Sequence, residues 1–227
     1  MSETQTHFSY DDMIKSGMHF GRKKSVFHPN MKSYIYSLKD SIHIIDLLKT
    51  ELAITSSINA MKKIIDARGM ILFVGLTTQS ADSIKKTAEE LNMPYVINRW
   101  LGGTFTNFKT VISRVKHLEG LEGEKNTGAW DKYTKHERVM KEKEISKLRI
   151  KFDGLRLLTK LPDMVFVSSA KKSELPIREA RKMSVKIAGI INTDSDPLKI
   201  DYPIPANDNA KKSVELIMNF LKGGIGK

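Results

Sequence analysis

Two carboxylates stand close together where a parallel sheet would bind a ligand. Asp194 and Asp196 lie in NTDSDP, directly after an apolar segment, residues 186–191, that predicts a strand. Such pairs hold Mg²⁺ in metal-assisted hydrolases, but Asx residues ahead of a proline also form ordinary turns. Pro197 favours the turn. An enzyme that acts on a phosphorylated substrate, with Mg²⁺ held by these aspartates, stays open as the alternative.

The histidines offer little metal-binding chemistry. None of the six has a partner at the i,i+4 spacing of a helical zinc site, and only His19 and His28 could share a metal. The chain has no cysteine, which removes thiolate ligands, disulfides and thiol nucleophiles and fits a reducing compartment. We therefore expect hydrogen-bonding loop histidines, with no metal and no cofactor.

The segment VGLTTQSAD, residues 74–82, is the usual place for a nucleotide in an α/β protein. It follows a predicted strand and opens a predicted helix, but it contains one glycine and neither phosphate-loop nor dinucleotide spacing. No G-x-S-x-G elbow occurs in the chain. The pattern favours a plain strand-to-helix turn over a nucleotide-binding site, and we predict no catalytic residue.

A run of three cations lies in GMHFGRKKSVFHPNMKSYIY, residues 17–36. Arg22, Lys23 and Lys24 follow a glycine directly, and a His-Pro-Asn turn closes the segment. Cations held on a rigid loop lose little entropy when they contact phosphates, and the aromatic residues nearby offer flat faces to exposed bases. The sequence thus predicts a basic loop for an anionic partner, such as a nucleic acid or an acidic membrane surface.

The overall charge agrees with an anionic partner. In 227 residues, 38 Lys and Arg outnumber 26 Asp and Glu, so the net charge is +12. A hydrophobic content of 40% is enough for a globular core. The amino-terminal MSETQTHFSYDD does not resemble a secretory signal, and no run of 18 apolar residues occurs. We expect a soluble, intracellular protein with no membrane partner.

Alternating strands and helices must position these residues. Apolar, β-branched segments predict strands and are separated by segments of helical periodicity. The predicted strands are residues 70–75, 95–97, 164–167 and 186–191. In the last predicted helix, Asn207 or Asp208 is expected to be the cap. The fold class predicted is α/β, a Rossmann-like doubly wound parallel sheet.

A different pattern interrupts this alternation. Apolar residues step by three and four in two segments around a glycine-containing stretch, GLEGEKNTGAWDK, which predicts an antiparallel coiled-coil α-hairpin with a long turn. Residues 131–151 carry eight Lys or Arg against four acids. We predict a core domain of residues 1–106 and 160–227, with a hairpin insertion of residues 107–159.

The hairpin begins after RWLGGTFTNF, residues 99–108. Arg99 and Trp100 precede two glycines, so a cation and a large ring lie at a tight corner of the backbone. We expect Trp100 to pack where the hairpin meets the sheet and Arg99 to face outward.

Several motifs, in this order and spacing, resemble the bacterial-type S-two family of small-subunit ribosomal proteins. The resemblance covers about residues 8–222 and is most specific in RWLGG with TNF and in IPANDNA. The motifs are HFG followed by a basic pair, HPNMKSYIY, IHIIDLLKT, ILFVG, NRWLGGTFTNF, LPDMVFV and IPANDNA.

This resemblance implies a non-catalytic structural role in translation. The expected partners are small-subunit ribosomal RNA and neighbouring ribosomal proteins, including the largest one, which captures messenger RNA. The expected location is the ribosome, in the cytoplasm or in an organelle matrix. An interaction module that uses the hairpin to bind another protein is the third alternative. The residues expected to bind RNA are Arg22, Lys23, Lys24, His28, Lys32, Arg99, Lys109, Arg114, Lys135 and Arg138.

The chain departs from the family pattern at three places. The family usually has a lysine-containing stretch at residues 76–78, an Asp near Ser169, and Asp-Thr-Asn where this chain has residues 192–194. These departures put individual contacts at the carboxyl edge of the sheet in doubt, not the resemblance itself.

Overall fold

The computed structural model describes residues 9–226 and contains two sheets. Three antiparallel strands form the smaller sheet, in the order β1-β3-β2: β1 (Phe20–Lys23), β2 (Ile35–Lys39) and β3 (Ile42–Ile45). Five parallel strands form the larger sheet, in the order β5-β4-β6-β7-β8: β4 (Ile71–Val74), β5 (Tyr95–Val96), β6 (Met164–Val167), β7 (Lys186–Ile191) and β8 (Tyr202–Pro205).

Seven α-helices and four short 3-10 helices connect these strands within the described residues. The α-helices are α1 (Tyr10–Lys15), α2 (Leu47–Asp66), α3 (Thr78–Glu90), α4 (Phe108–Asn126), α5 (Lys135–Phe152), α6 (Glu174–Lys182) and α7 (Lys211–Ile225). The 3-10 helices are Pro29–Tyr34, Ala129–Lys132, Asp153–Leu155 and Pro197–Lys199. None of the helices in residues 9–226 combines the length and apolar character needed to cross a bilayer.

The parallel sheet is buried on both faces, as its apolar strands predict. Alternate residues of a strand point to opposite faces. Leu72 and Val74 of β4 therefore join the cluster that contains α6 and the base of the helix pair α4–α5. Ile71 and Phe73 join the cluster formed with α2, α3 and α7. The predicted α/β class with a Rossmann-like parallel sheet is confirmed.

The strand order reverses between β4 and β6, and this switch point is where such sheets usually bind ligands. Here the crevice is filled by hydroxyl groups of the chain itself. The Ser80 hydroxyl lies 2.8 Å from the Thr77 hydroxyl and accepts a hydrogen bond from Ser168 at 2.8 Å. A Cβ at Gly75 would lie 2.8 Å from Ile84, so the helix packs tightly against this turn.

Helices α4 and α5 pair in antiparallel orientation. Lys125 lies 2.8 Å from Glu142, and Arg149 lies 2.6 Å from Glu122, so residues further along α4 meet residues nearer the start of α5. The predicted long glycine turn is wrong, because α4 continues to Asn126 through two of the three glycines. The coiled-coil geometry of this seam stays a prediction.

The division into a core domain and a hairpin insertion also stays a prediction. Residues 1–8 and 227 of the predicted core domain lie outside the described range. Buried residues of the helix pair, such as Val115 and Ile145, belong to the same apolar cluster as Val74 and Val167 of the sheet. The base of the helix pair therefore shares its core with one face of the sheet.

Two local predictions near the carboxyl edge of the sheet are wrong. The basic segment is not a loop throughout, because Arg22 and Lys23 lie in β1, which pairs with β3 across a register shift. Helix α7 begins at Lys211 with Ala210 at its cap position, and no side chain caps it. Asp208 is instead engaged in another network, described below.

Candidate nucleic-acid interface

Strand β1 lies across the carboxyl edge of the parallel sheet. The Arg22 amide donates to the Thr193 hydroxyl at 2.8 Å, and the His28 amide donates to the Thr193 carbonyl at 2.9 Å. A Cβ at Gly21 would lie 2.6 Å from the Thr193 methyl and 2.9 Å from the His43 carbonyl. Only glycine allows the two backbones to approach this closely, which is a physical reason for the glycine ahead of the basic run.

The Arg22 side chain points inward and contacts acidic residues at this edge of the sheet. Its Nη2 donates to Asp208 at 2.9 Å and to Asn209 at 3.2 Å, and its Nε lies 3.5 Å from Asp194 without hydrogen-bond geometry. Asp208 is 2% exposed. A buried carboxylate needs a compensating charge. Arg22 supplies it to Asp208, which follows β8, and lies near Asp194, which follows β7.

Two of the departures from the family pattern lie in the same network. Ser169 donates to Asp208 at 2.5 Å, and the Asn192 side chain donates to the other oxygen at 2.9 Å. Two neutral donors and the Arg22 guanidinium therefore surround a single buried carboxylate. Asp208 is the central residue of this network, whereas the sequence suggested it only as a helix cap; its position within the specific IPANDNA motif was the available signal for a larger role.

The other two cations of the run face solvent. Lys23 and Lys24 are exposed, and neither forms an ion pair with any residue in the range 9–226. Phe20 and Phe27 are 44% and 36% exposed, and Phe27 packs against His43 with ring centroids 4.8 Å apart. The segment thus presents cations beside flat rings, which is the combination that RNA backbones and unstacked bases require.

Histidines near this segment have structural contacts. His28 accepts from the Asn30 amide at 3.3 Å through Nδ1 and caps the 3-10 helix that carries exposed Lys32. Burial, together with the charge of Lys24, lowers the pKa of His43. His43 is therefore neutral at physiological pH and adds no cation to the surface.

Neither candidate metal site gathers enough ligands in the part of the chain that the structure describes. No group of three or more His, Asp or Glu there is arranged to hold an ion, and His7 lies outside this part. Asp194 faces Arg22, whereas Asp196 caps the 3-10 helix Pro197–Lys199 and accepts from Asn30 at 3.0 Å. The turn predicted for these aspartates is confirmed.

The corner before α4 is held by a buried acid. Glu179 of α6 accepts hydrogen bonds from Trp100 Nε1 at 3.3 Å, the Gly103 amide at 2.8 Å and the Phe105 amide at 3.0 Å. Trp100 is 5% exposed while Arg99 is exposed, so both expectations for this corner are confirmed. Sequence reasoning missed Glu179, although it is an acid at helical spacing among apolar residues.

The cations predicted on the helix pair differ in their surroundings. Lys109 and Arg114 of α4 and Lys135 of α5 are exposed. Arg138 instead donates to the Tyr133 carbonyl at 3.1 Å and to the Asp131 carbonyl at 2.8 Å, which fixes the turn between the helices. Within residues 9–226, no hydrogen bond or ion pair joins these cations to the β1 segment, so they form a separate surface.

The outward face of α5 carries no acid. Glu137 belongs to the capping box with Thr134, Glu142 pairs with Lys125, and Glu144 lies 3.3 Å from His117. The exposed residues at helical spacing on the opposite face are His136, Val139, Met140, Lys143, Lys147 and Ile150. The eight cations counted in the sequence are therefore distributed unevenly, with a surplus of positive charge facing solvent.

Comparison with known proteins agrees with the motifs. The family model described as Ribosomal protein S2 matches residues 13–226. A protein named small ribosomal subunit protein uS2 from Fusobacterium nucleatum subsp. nucleatum is 39% identical over 218 residues, which are 96% of this chain and 88% of that protein. Another of the same name from Salinibacter ruber is 33% identical over 222 residues, 98% of this chain and 69% of that protein. This chain belongs to the ribosomal protein S2 family.

Proposed function

We propose that this protein is a structural constituent of the small ribosomal subunit that binds ribosomal RNA. The observation that carries the proposal is a pair of exposed lysines that form no ion pair within residues 9–226: Lys23 at the end of β1 and Lys24 directly after it. Because the segment around them is held at both Arg22 and His28, the two ammonium groups are presented from a rigid support.

The remaining residues of the proposed interface fall into two roles. Arg22 and Arg138 are held by partners within the chain, so they act mainly by placing the cations beside them. His28 likewise orders the turn. The residues proposed to contact phosphates directly are Lys23, Lys24, Lys32, Arg99, Lys109, Arg114 and Lys135.

The enzyme alternative has less support. The crevice in which a doubly wound sheet would bind a substrate contains the Ser80 hydroxyl network and the Arg22–Asp208 pair. These groups satisfy one another, whereas an active site needs groups that converge on a reacting atom. We assign the protein a non-catalytic role, with neighbouring ribosomal proteins, including the largest one of the small subunit, as its protein partners in the cytoplasmic ribosome.

Salt-dependent RNA binding tests the proposal. We expect Lys23→Ala with Lys24→Ala to weaken binding to small-subunit ribosomal RNA, and to reduce the slope of log K against log salt by up to about two units, because each lost phosphate contact removes nearly one released counterion. The control is Lys86→Ala with Lys212→Ala, which removes two exposed lysines on α3 and α7. Equal slopes for the two double variants would contradict the proposal.

A further inference from the structure

A second group of cations lines a cleft beside the carboxyl edge of the sheet. The cleft lies between α6 and residues 194–199, and its volume is about 320 Å³. Apolar side chains, Ala170 and Ile177, form part of its wall. The cations that line it are Lys171, Arg178, Arg181 and Lys199.

These four cations are without an ion-pair partner in the part of the chain that the structure describes. All four residues are exposed, and none forms an ion pair or a side-chain hydrogen bond with another residue of the described range. Arg178 and Arg181 are three residues apart on α6, so they are neighbours on one helix face. Like charges placed together repel each other unless an anion lies between them, and the cleft therefore suits an anionic ligand.

Two of the three carboxylates that line the cleft are engaged mainly by other partners. Asp194 faces Arg22, and Asp196 accepts from Asn30 at 3.0 Å and from the Leu198 amide at 3.2 Å. Hydrogen bonding by Asn30 and, to a smaller degree, the charge of Lys199 lower the pKa of Asp196, so this carboxylate stays ionised at the cap and compensates Lys199 only in part. Glu174 is the remaining acid of the lining. With Arg22 and its partner Asp208 counted, five cations face four carboxylates around the cleft, so the charge surplus is positive.

We propose that this cleft binds a phosphate group, and that the phosphate belongs to the backbone of an RNA strand. Guanidinium groups match phosphate oxygens with paired donors, while the lysines contribute point charges. Among the lining residues only His28 has a ring on which a base could stack, which favours a backbone contact over recognition of a free nucleotide. The choice of RNA as the source rests on the proposed function; the recognition of phosphate does not.

A matched pair of variants tests the cleft. In Arg178→Ala with Arg181→Ala, two cleft cations are removed; in the control, Lys172→Ala with Lys182→Ala, two exposed neighbours that do not line the cleft are removed. Both full-length variants and the wild type are titrated with small-subunit ribosomal RNA over a range of salt concentrations. Thermal melting with inorganic phosphate and with ADP forms the second arm.

We expect the arginine variant to bind RNA about tenfold more weakly than the control variant, with a salt slope lower by about one unit. Equal RNA binding by the two variants, with the wild type binding normally, would overturn the cleft assignment and leave the proposed function intact. If the wild type bound no RNA, the proposed function would fail. A saturable stabilisation by phosphate or ADP that is lost only in the arginine variant would then assign the cleft to a free phosphate ligand, and its absence would overturn the phosphate site as well.

Discussion

At the scale of single residues, the pair Arg22–Asp208 determines what the carboxyl edge of the sheet can do. The sequence places Arg22 in an obvious basic run, but its partner lies 186 residues away, and no local pattern joins the two. Sequence reasoning therefore selected the cations as a group and could not distinguish the arginine that faces inward from the lysines that face solvent. Long-range pairing of polar side chains is set by the fold and not by local spacing.

Removal of the guanidinium should destabilise the protein. In Arg22→Met, the Asp208 carboxylate would keep its bonds from Ser169 and Asn192 but would lose its compensating charge. Because Arg22 is partly exposed, we expect a loss of about 2–3 kcal/mol, below the full effect of breaking a buried ion pair. Urea denaturation measures this loss. The control Lys23→Met should change the free energy of unfolding by less than about 0.5 kcal/mol, and equal losses in both variants would contradict the assigned roles.

At the scale of elements, the sequence predicted the strands that are fully buried and missed those that form only through pairing with a neighbouring strand. Strands β4 and β6 are buried at every residue, so continuous apolar runs revealed them. Strand β2 is partly or fully exposed throughout and is recognised as a strand only through its pairing with β3. Strand β8 was also missed, since two of its four residues are prolines, which sequence rules exclude from central strands. It is the edge strand of its sheet.

The helix pair also shows that local sequence preferences do not determine where an element ends. Gly120 and Gly123 were expected to be part of a turn, yet both lie within α4, with no atom within 4 Å of a Cβ added there. A glycine costs an exposed helix about 1 kcal/mol relative to alanine. Packing of α4 on α5 and ion pairs along the seam offset this cost, and local propensity could not reveal that.

Glu122 of α4, which pairs with Arg149 and Arg156, makes the stability of the helix pair depend on pH. Hydrogen bonding by Arg156, and then by Arg149, lowers the pKa of Glu122 from 4.5 to about 2. Because the folded pKa is depressed, the stabilisation is complete above the unfolded pKa and is lost as the pH falls from about 4.5 to about 2. In Glu122→Gln, we expect the unfolding free energy to fall less steeply in this window, by up to about 1.4 kcal/mol per pH unit.

Denaturant unfolding at several pH values between these limits measures the slope. Glu119→Gln is the matched control, since Glu119 is an exposed acid of the same helix without an ion pair in the described residues. It should retain the slope of the wild type. If Glu122→Gln also retained that slope, the ion pairs with Arg149 and Arg156 would not contribute to stability.

At the scale of the whole molecule, the sheet is a scaffold whose usual ligand edge is filled by its own side chains. We therefore propose that function lies on three other surfaces: the β1 segment, the outward face of the helix pair and the cleft beside α6. The net charge of +12 predicted an anionic partner, and the family resemblance predicted its identity. Neither could predict the distribution of the charge over separate surfaces, because that depends on which cations find partners within the fold.

The proposed insertion can be tested by deletion. We expect replacement of residues 110–156 by a short Gly-Ser linker to leave an α/β core that unfolds in one cooperative transition, because one face of the sheet keeps its full complement of helices, α2, α3 and α7. The melting temperature should fall, since buried residues such as Val115 and Phe152 are lost from the shared cluster. Calorimetry measures both quantities. A variant without a cooperative transition would show that the sheet depends on the helix pair.

The most direct test of the central claim is assembly into the small subunit. Purified protein is mixed with bacterial small ribosomal subunits that have been stripped of their own copy, and the mixture is separated on a sucrose gradient. We predict that the wild type sediments with the small subunit in an amount that saturates near one copy per particle, and that Lys23→Ala with Lys24→Ala is released at lower salt than the Lys86→Ala, Lys212→Ala control. A folded wild-type protein that stays at the top of the gradient at every salt concentration would contradict the account.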